Sequence, residues 1–339
     1  MKMKGILAAV LCSVLLLGAC SGSDRPSRAE KVSAANSASS AQGSVPTTDS
    51  SVPDEPSATN ESLAQDSSQA SEGSQLPGVF PEPKCFASLL YCVEDDKVLY
   101  TDSADLPTAP ASITKLVTAS VVLKYMKPDD IVEVGTELNL VDPESSICYI
   151  NIGNRLTVHD LLTGMLLCSG NDAAYTAAVN TARAVHSGEE LSDQEAVSVF
   201  VDMMNETAAE MGMSHSHFMT PDGWDNSEQH VTANDLVLLA KYVLSVPELR
   251  TIVGTYEKSV EFVSGETLDW TNSNQLLNPK SVFYCPDAIG LKTGTTDYAG
   301  ACLLSAFEKD NKTYIAAALG CENNSDRYQL TLLLYDLIK

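Results

Sequence analysis

The stretch Ala111-Ser112-Ile113-Thr114-Lys115-Leu116-Val117-Thr118-Ala119 decides how the rest of the chain is read. It follows Pro110 and runs into Val121, Val122 and Leu123, so the spacing predicts a buried helix with Ser112 and Lys115 in its first turn. Residues three apart on a helix share a face, ~5–6 Å apart at Cβ. The hydroxyl and the amine can therefore share one proton without any long-range folding. A hydroxyl attacks poorly until its proton is removed, and a lysine kept neutral by burial and a neighbouring cation can remove it. The positive end of the helix dipole also favours developing alkoxide. Taken alone, Ser-x-x-Lys equally describes a solvated helix surface, so its meaning depends on the rest of the chain.

Two further stretches supply that context. Ser169-Gly170-Asn171 falls in a break between two helical runs, and Lys292-Thr293-Gly294 sits at the end of a strand-like run. Each has a bland reading: Asn171 suits a helix cap, and Lys292 suits a surface position. In the order Ser-x-x-Lys, Ser-x-Asn, Lys-Thr-Gly they form a specific set. The phrases around them, ASITKLVTA, LTVHDLLTGMLLCSGNDAA, FVDMMNETAAEMGM and IGLKTGTTDYAG, closely resemble the low-molecular-weight penicillin-binding proteins that are D-alanyl-D-alanine carboxypeptidases. The resemblance covers about residues 84–339.

That resemblance implies an α+β, DD-peptidase/β-lactamase-like fold and acyl transfer at the carbonyl of a penultimate D-alanine. Ser112 would attack, and Lys115 would be the base, its proton affinity lowered by Lys292. Ser169 would relay a proton to the leaving amine, and Asn171 would hold Lys115 and the substrate backbone. Lys292 and Thr293 suit the substrate's terminal carboxylate, and Gly294 lets the strand approach the substrate closely. The N–H groups of Ser112 and Thr295 would form the oxyanion hole, where one donor is typically worth ~2.7–4 kcal/mol. The implied partners are peptidoglycan stem peptides ending in D-Ala-D-Ala and, as covalent inhibitors, β-lactams; no cofactor is implied.

The chain departs from the better-known members in three ways. It stops at the last helix, where they carry a second β-rich domain and an amphipathic anchor. Thr295 and Thr296 follow Lys-Thr-Gly where several relatives have a bulkier residue. The arginine some relatives use for the carboxylate has no secure counterpart, Arg327 reading as a helix-start residue. Three alternatives compete, two of them on the same fold and the third from another class. A β-lactamase needs a deacylating base, usually in an E-x-x-L-N loop; none lies between Asn171 and Lys292, and Glu206 and Glu210 have no Leu-Asn after them. A D,D-endopeptidase would use the same residues. A non-catalytic β-lactam sensor has no use for both Ser112 and Lys115.

Residues 1–19 read as a secretory signal: Lys2 and Lys4, then an apolar run from Ile6 to Leu17, too short for a permanent span. Leu17-Gly18-Ala19-Cys20 resembles a bacterial lipobox, which implies lipidation of Cys20 and an extracytoplasmic domain held to the membrane there. Residues 20–79 are Ser-, Ala-, Thr- and Asp-rich with almost no large apolar side chains, a tether that cannot offset its ordering entropy. Its roughly 60 residues give a root-mean-square span of about 40–45 Å. The lipid anchor would stand in for the missing C-terminal one, leaving 80–339 as the peptidase domain.

The formal charge of −24 argues against nucleic acid and against electrostatic adhesion to anionic lipid. Beyond the signal and Cys20 seven cysteines remain, an odd number, so at least one thiol is free if the others pair. No C-x-x-C occurs, and His215 and His217 lack a third ligand signature, so no metal is expected.

From residue 86 the pattern predicts a hairpin (86–93 with 97–100), the Ser112 helix, and short strands to about 152. Helices follow from 158, from Asp172 to about Ala184, from Ser192 to Gly212, and from Thr232 to Leu244, the last stopped by Pro247. A hairpin around Ser264-Gly265-Glu266, three strands (289–292, 300–307, 312–319) and a helix capped by Ser325 complete the chain. Strands at both ends with helices between predict one antiparallel sheet that both chain ends complete, with flanking helices and a helical lobe.

Overall fold

The computed structural model describes residues 83–338; the signal, Cys20 and the tether lie outside the described residues. A five-stranded antiparallel sheet is built from β1 (Ala87–Cys92), β2 (Lys97–Asp102), β7 (Ala288–Thr296), β8 (Gly300–Lys309) and β9 (Lys312–Cys321), in the order β2-β1-β9-β8-β7. The first strand pairs with the last, Ala87 opposite Leu319 and Cys92 opposite Tyr314, so both ends of the domain complete one sheet as the sequence predicts. A Cys85–Cys321 disulfide closes this seam. Cys92, Cys148, Cys168, Cys285 and Cys302 remain free thiols.

β1, β8 and β9 are apolar almost throughout because both faces of the sheet are covered. Side chains alternate between faces along a strand. Leu89, Leu304 and Ala317 join the large core under the helices, while Leu90, Leu303 and Ala316 join a smaller one. The smaller core is roofed by α7 (Asn324–Tyr335) through Tyr328, Leu330 and Leu334. The large core is filled by α1 (Lys115–Tyr125), α2 (Val158–Leu167), α3 (Asn171–Val185), α4 (Asp193–Glu210) and α5 (Ala233–Ser245). Two small two-stranded antiparallel sheets, β3 (Ile131–Glu133) with β4 (Arg155–Thr157) and the hairpin β5 (Glu257–Glu261) with β6 (Thr267–Thr271), flank this lobe. Among the described residues no helix is long and apolar enough to cross a membrane.

Local chemistry accounts for most boundaries. Thr157 and Thr232 accept the N–H groups of Asp160 and Asp235, and Ser192 forms a reciprocal capping box with Glu195. Three expectations change. Pro247 does not merely stop α5; it opens a further helix, α6 (Pro247–Gly254), where a first-turn proline has no N–H to lose. Asn323 rather than Ser325 caps α7, accepting from both Ser325 and Asp326. The Ser112 segment is a 3-10 turn, Ala111–Thr114, with the α-helix beginning at Lys115. In a 3-10 turn positions i and i+3 eclipse, which brings Ser112 and Lys115 still closer into line.

Candidate active site

Three elements meet at the N-terminal end of α1. Lys115 is fully buried, and its Nζ lies 2.9 Å from Ser112 Oγ, 2.7 Å from Asn171 Oδ1 and 2.7 Å from the Asp222 carbonyl oxygen. The last two partners can only accept. They take two N–H bonds from the amine, and the third direction, toward Ser112, can hold either a third N–H or the nitrogen lone pair. Burial pulls Lys115 down to about 8, against the upward pull of Asp222, Asp172 and Cys148. A lone pair facing a serine hydroxyl is thus attainable near neutral pH.

Asn171 opens α3, but its side chain does not cap the helix, whose N-cap is Gly170. Its Oδ1 serves Lys115 while its Nδ2 donates to Ser145 Oγ at 2.8 Å and its main-chain N–H donates to the Ser146 carbonyl. Ser169 stands in the left-handed region, φ 62°, in the turn between α2 and α3. It stands two residues before Asn171, and among the described residues its hydroxyl makes no hydrogen bond. The next carboxylate, Asp172, is buried and accepts from Cys148 N–H and Ile150 N–H, tying loop 145–150 to the start of α3.

β7 is the edge strand of the sheet, and it lies against the Ser112 turn. A Cβ at Gly294 would fall 2.8 Å from Ala111 Cβ and 2.9 Å from the Ser112 nitrogen, so only glycine permits this approach. On the other side of the turn, Gly223 has φ +88°, and a Cβ there would fall 1.9 Å from the Ala111 carbonyl oxygen. That packing aims the Asp222 carbonyl at Lys115. Lys-Thr-Gly therefore lies inside a strand that continues to Thr296, not at its end.

Lys292 is as buried as Lys115, and its Nζ donates to the Thr293 carbonyl at 2.9 Å. Burial first, then repulsion from Lys115 and Arg327, holds it well below the ordinary lysine value. The expectation was that burial and the neighbouring Lys292 together lower Lys115; burial does so, whereas the repulsion between the two amines acts on Lys292, where it adds to burial. Thr293 is buried with its Oγ1 2.6 Å from Ser273 Oγ. Thr295 is exposed, its hydroxyl donating to the Gly294 carbonyl.

Arg327 is more than the helix-start residue the sequence suggests. It is buried, and its Nη1 donates to the Gly294 carbonyl at 2.8 Å, to Thr295 Oγ1 at 3.0 Å and to the Cys302 carbonyl at 3.2 Å. A signal was present: a cation in the first turn of a helix opposes the helix dipole and wants another reason to be there. The Asp222 carbonyl and Ser145 carried no such signal. His217 pairs main chain to main chain with His230.

This arrangement, a Ser–Lys turn faced by a Ser-x-Asn turn and a Lys-Thr-Gly edge strand, defines the class of penicillin-binding D,D-peptidases. The model of the peptidase S11, D-alanyl-D-alanine carboxypeptidase family matches residues 84–323, and the chain belongs to that family. It is 29% identical over 242 residues to the D-alanyl-D-alanine carboxypeptidase DacF of Bacillus subtilis, covering 70% of this chain and 58% of that relative. It is 33% identical over 230 residues to the D-alanyl-D-alanine carboxypeptidase of Streptomyces sp. strain K15, covering 65% of this chain and 75% of the relative. Among solved structures, the Streptomyces K15 DD-transpeptidase superposes with a TM-score of 0.68 at 28% identity, over 76% of this chain and 98% of the other. Penicillin-binding protein D2 of Listeria monocytogenes, in its cefotaxime-bound form, gives 0.62 at 28% identity over 77% and 98%.

Proposed function

We propose that the chain is a serine D-alanyl-D-alanine carboxypeptidase that removes the terminal D-alanine from peptidoglycan stem pentapeptides. The observation that carries this is Lys115: two of its three hydrogen-bonding directions are committed to pure acceptors, and the third points at Ser112 Oγ. Neutral Lys115 takes the Ser112 proton as Oγ bonds to the carbonyl carbon of the penultimate D-alanine. The oxyanion is held by the N–H groups of Ser112 and Thr295. The C–N bond to the last D-alanine breaks, and its nitrogen takes the proton from Lys115 through Ser169. Water then hydrolyses the ester on Ser112 by the reverse proton path.

Lys292, Thr293 and Arg327 hold the terminal carboxylate. Its arrival also settles the proton distribution, because an anion beside Lys292 stabilises that ammonium and, by repulsion, favours neutral Lys115. Asn171 orients Lys115, and Gly294 admits the substrate beside the open edge of β7, as an added strand would lie. The β-lactamase alternative finds no support on α4, where Glu206 and Glu210 are exposed and Glu210 pairs with Lys124 instead. β-Lactams would act as inhibitors by acylating Ser112. The domain would work outside the cytoplasm, held to the membrane through lipidated Cys20.

Incubation of wild type and Ser112→Ala with fluorescent penicillin and with a pentapeptide ending in D-Ala-D-Ala tests this directly. The wild type should be labelled and release D-alanine, and the variant should do neither. Labelling that survives in Ser112→Ala removes the assigned nucleophile; stable labelling without D-alanine release leaves a sensor.

A further inference from the structure

Resting on that reading, we infer that Ser273 is a positioning residue for carboxylate recognition: its hydroxyl sets the direction in which Thr293 donates. Ser273 lies between β6 and the 3-10 turn Gln275–Leu277, outside all three motifs. Its main chain makes two bonds. The N–H donates to the Leu167 carbonyl at 3.0 Å, at the end of α2, and the carbonyl accepts from Tyr328 O–H at 3.0 Å, next to Arg327 on α7. Any residue but proline could make those bonds. The hydroxyl is a separate matter: among the described residues its one partner is Thr293 Oγ1, at 2.6 Å.

Two hydroxyls that close share a single hydrogen bond, and each brings one proton. If Thr293 donates to Ser273, Thr293 meets an incoming carboxylate with lone pairs only. If Ser273 donates, the Thr293 proton is free to point at the carboxylate, and the chain Ser273 to Thr293 to anion is strengthened along its length. No other acceptor competes for the Ser273 proton among the described residues. The Thr293 carbonyl is already occupied by Lys292 Nζ, and the Gly294 carbonyl by Arg327 Nη1. An anion at this strand is therefore met by two cations and by one hydroxyl whose orientation depends on Ser273.

The test compares an N-acylated tripeptide ending in D-Ala-D-Ala with its C-terminal amide, as substrates for wild type, Ser273→Ala and Ser273→Thr. Ser273→Ala keeps both main-chain bonds and should melt with the wild type. It should lose roughly tenfold in kcat/KM on the free acid, mostly through KM, with less than about a twofold change on the amide. Ser273→Thr restores the hydroxyl and should return the acid to within about twofold of wild type. Equal losses on acid and amide would make Ser273 merely structural, and no loss on the acid would leave Thr293 independent of it; either result overturns the inference. Wild type inert toward both peptides would instead defeat the carboxypeptidase reading and this inference with it.

Discussion

Lys115 and Lys292 are buried to the same extent, yet their surroundings give them opposite characters. Lys115 has two dedicated acceptors and a serine, and Asp222 and Asp172 pull its proton affinity back up toward the ordinary value. Lys292 has a single carbonyl, and its charged neighbours Lys115 and Arg327 are cations. A buried ammonium is costly unless it is paired. The first site is complete as it stands and tuned to exchange a proton near pH 8. On the proposed reading the second is completed by an anion, and one residue type supplies a base and an anion receptor within one site, separated only by what each touches.

The largest expected effect breaks the first half of this contrast. Lys115→Arg preserves charge and reach but cannot be neutral near pH 8. Acylation by fluorescent penicillin should fall on the order of 10³-fold, measured by stopped flow. An arginine that acylates within tenfold of wild type would mean the proton leaves Ser112 by another path.

The second half is tested by Lys292→Gln. It should lower kcat/KM for a D-Ala-D-Ala peptide roughly 10²-fold, because the carboxylate loses its buried cationic partner. A pH profile adds a sharper readout. Wild-type acylation requires neutral Lys115, so it should climb with pH to a plateau above about 8. Below that point it should fall about tenfold per pH unit. With a substrate carboxylate bound beside it Lys292 is an ammonium, and Lys292→Gln removes a repulsion that opposes protonation of Lys115 in that complex. Lys115 then keeps its proton to higher pH, and the limb should move in the alkaline direction. A limb that stays in place would show that the two lysines do not sense one another.

The sequence carried this contrast only in part. Ser112 and Lys115 are three residues apart, and local geometry alone brings them together, so their pairing was legible. The capping residues Thr157, Ser192 and Thr232 marked their helices for the same reason. The sheet closed by both chain ends was also legible, because apolar strand patterns at the two termini with helices between leave few alternatives. What sets the two lysines apart was not. The second dedicated acceptor of Lys115 is a main-chain carbonyl, and every residue has one; only the close packing of Gly223 on Ala111 selects that of Asp222. Arg327 reaches Gly294 across 33 positions of sequence, and its part in depressing Lys292 depends wholly on how α7 is seated on the sheet. Ser145 and Ser273 look like ordinary loop serines until tertiary contact gives each a single partner in the site.

Ser145 gives the smallest effect and the most discriminating one. Its Oγ accepts from Asn171 Nδ2, which fixes the amide so that Oδ1 faces Lys115. An amide is nearly symmetric in shape, so nothing but its hydrogen bonds chooses between the two orientations. With Ser145→Ala the amide is free to turn and offer Nδ2 to Lys115, where it competes with the Ser112 proton for the nitrogen lone pair. The plateau of acylation should fall about three- to tenfold. Lys115 also loses an acceptor that stabilised its ammonium form, so its limb should move to lower pH, opposite to the shift in Lys292→Gln. Ser145→Thr keeps the acceptor and should recover the plateau. A general loosening of the loop would depress the rate without moving the limb, and a shift in the alkaline direction would mean that Asn171 does not act on Lys115 through Oδ1.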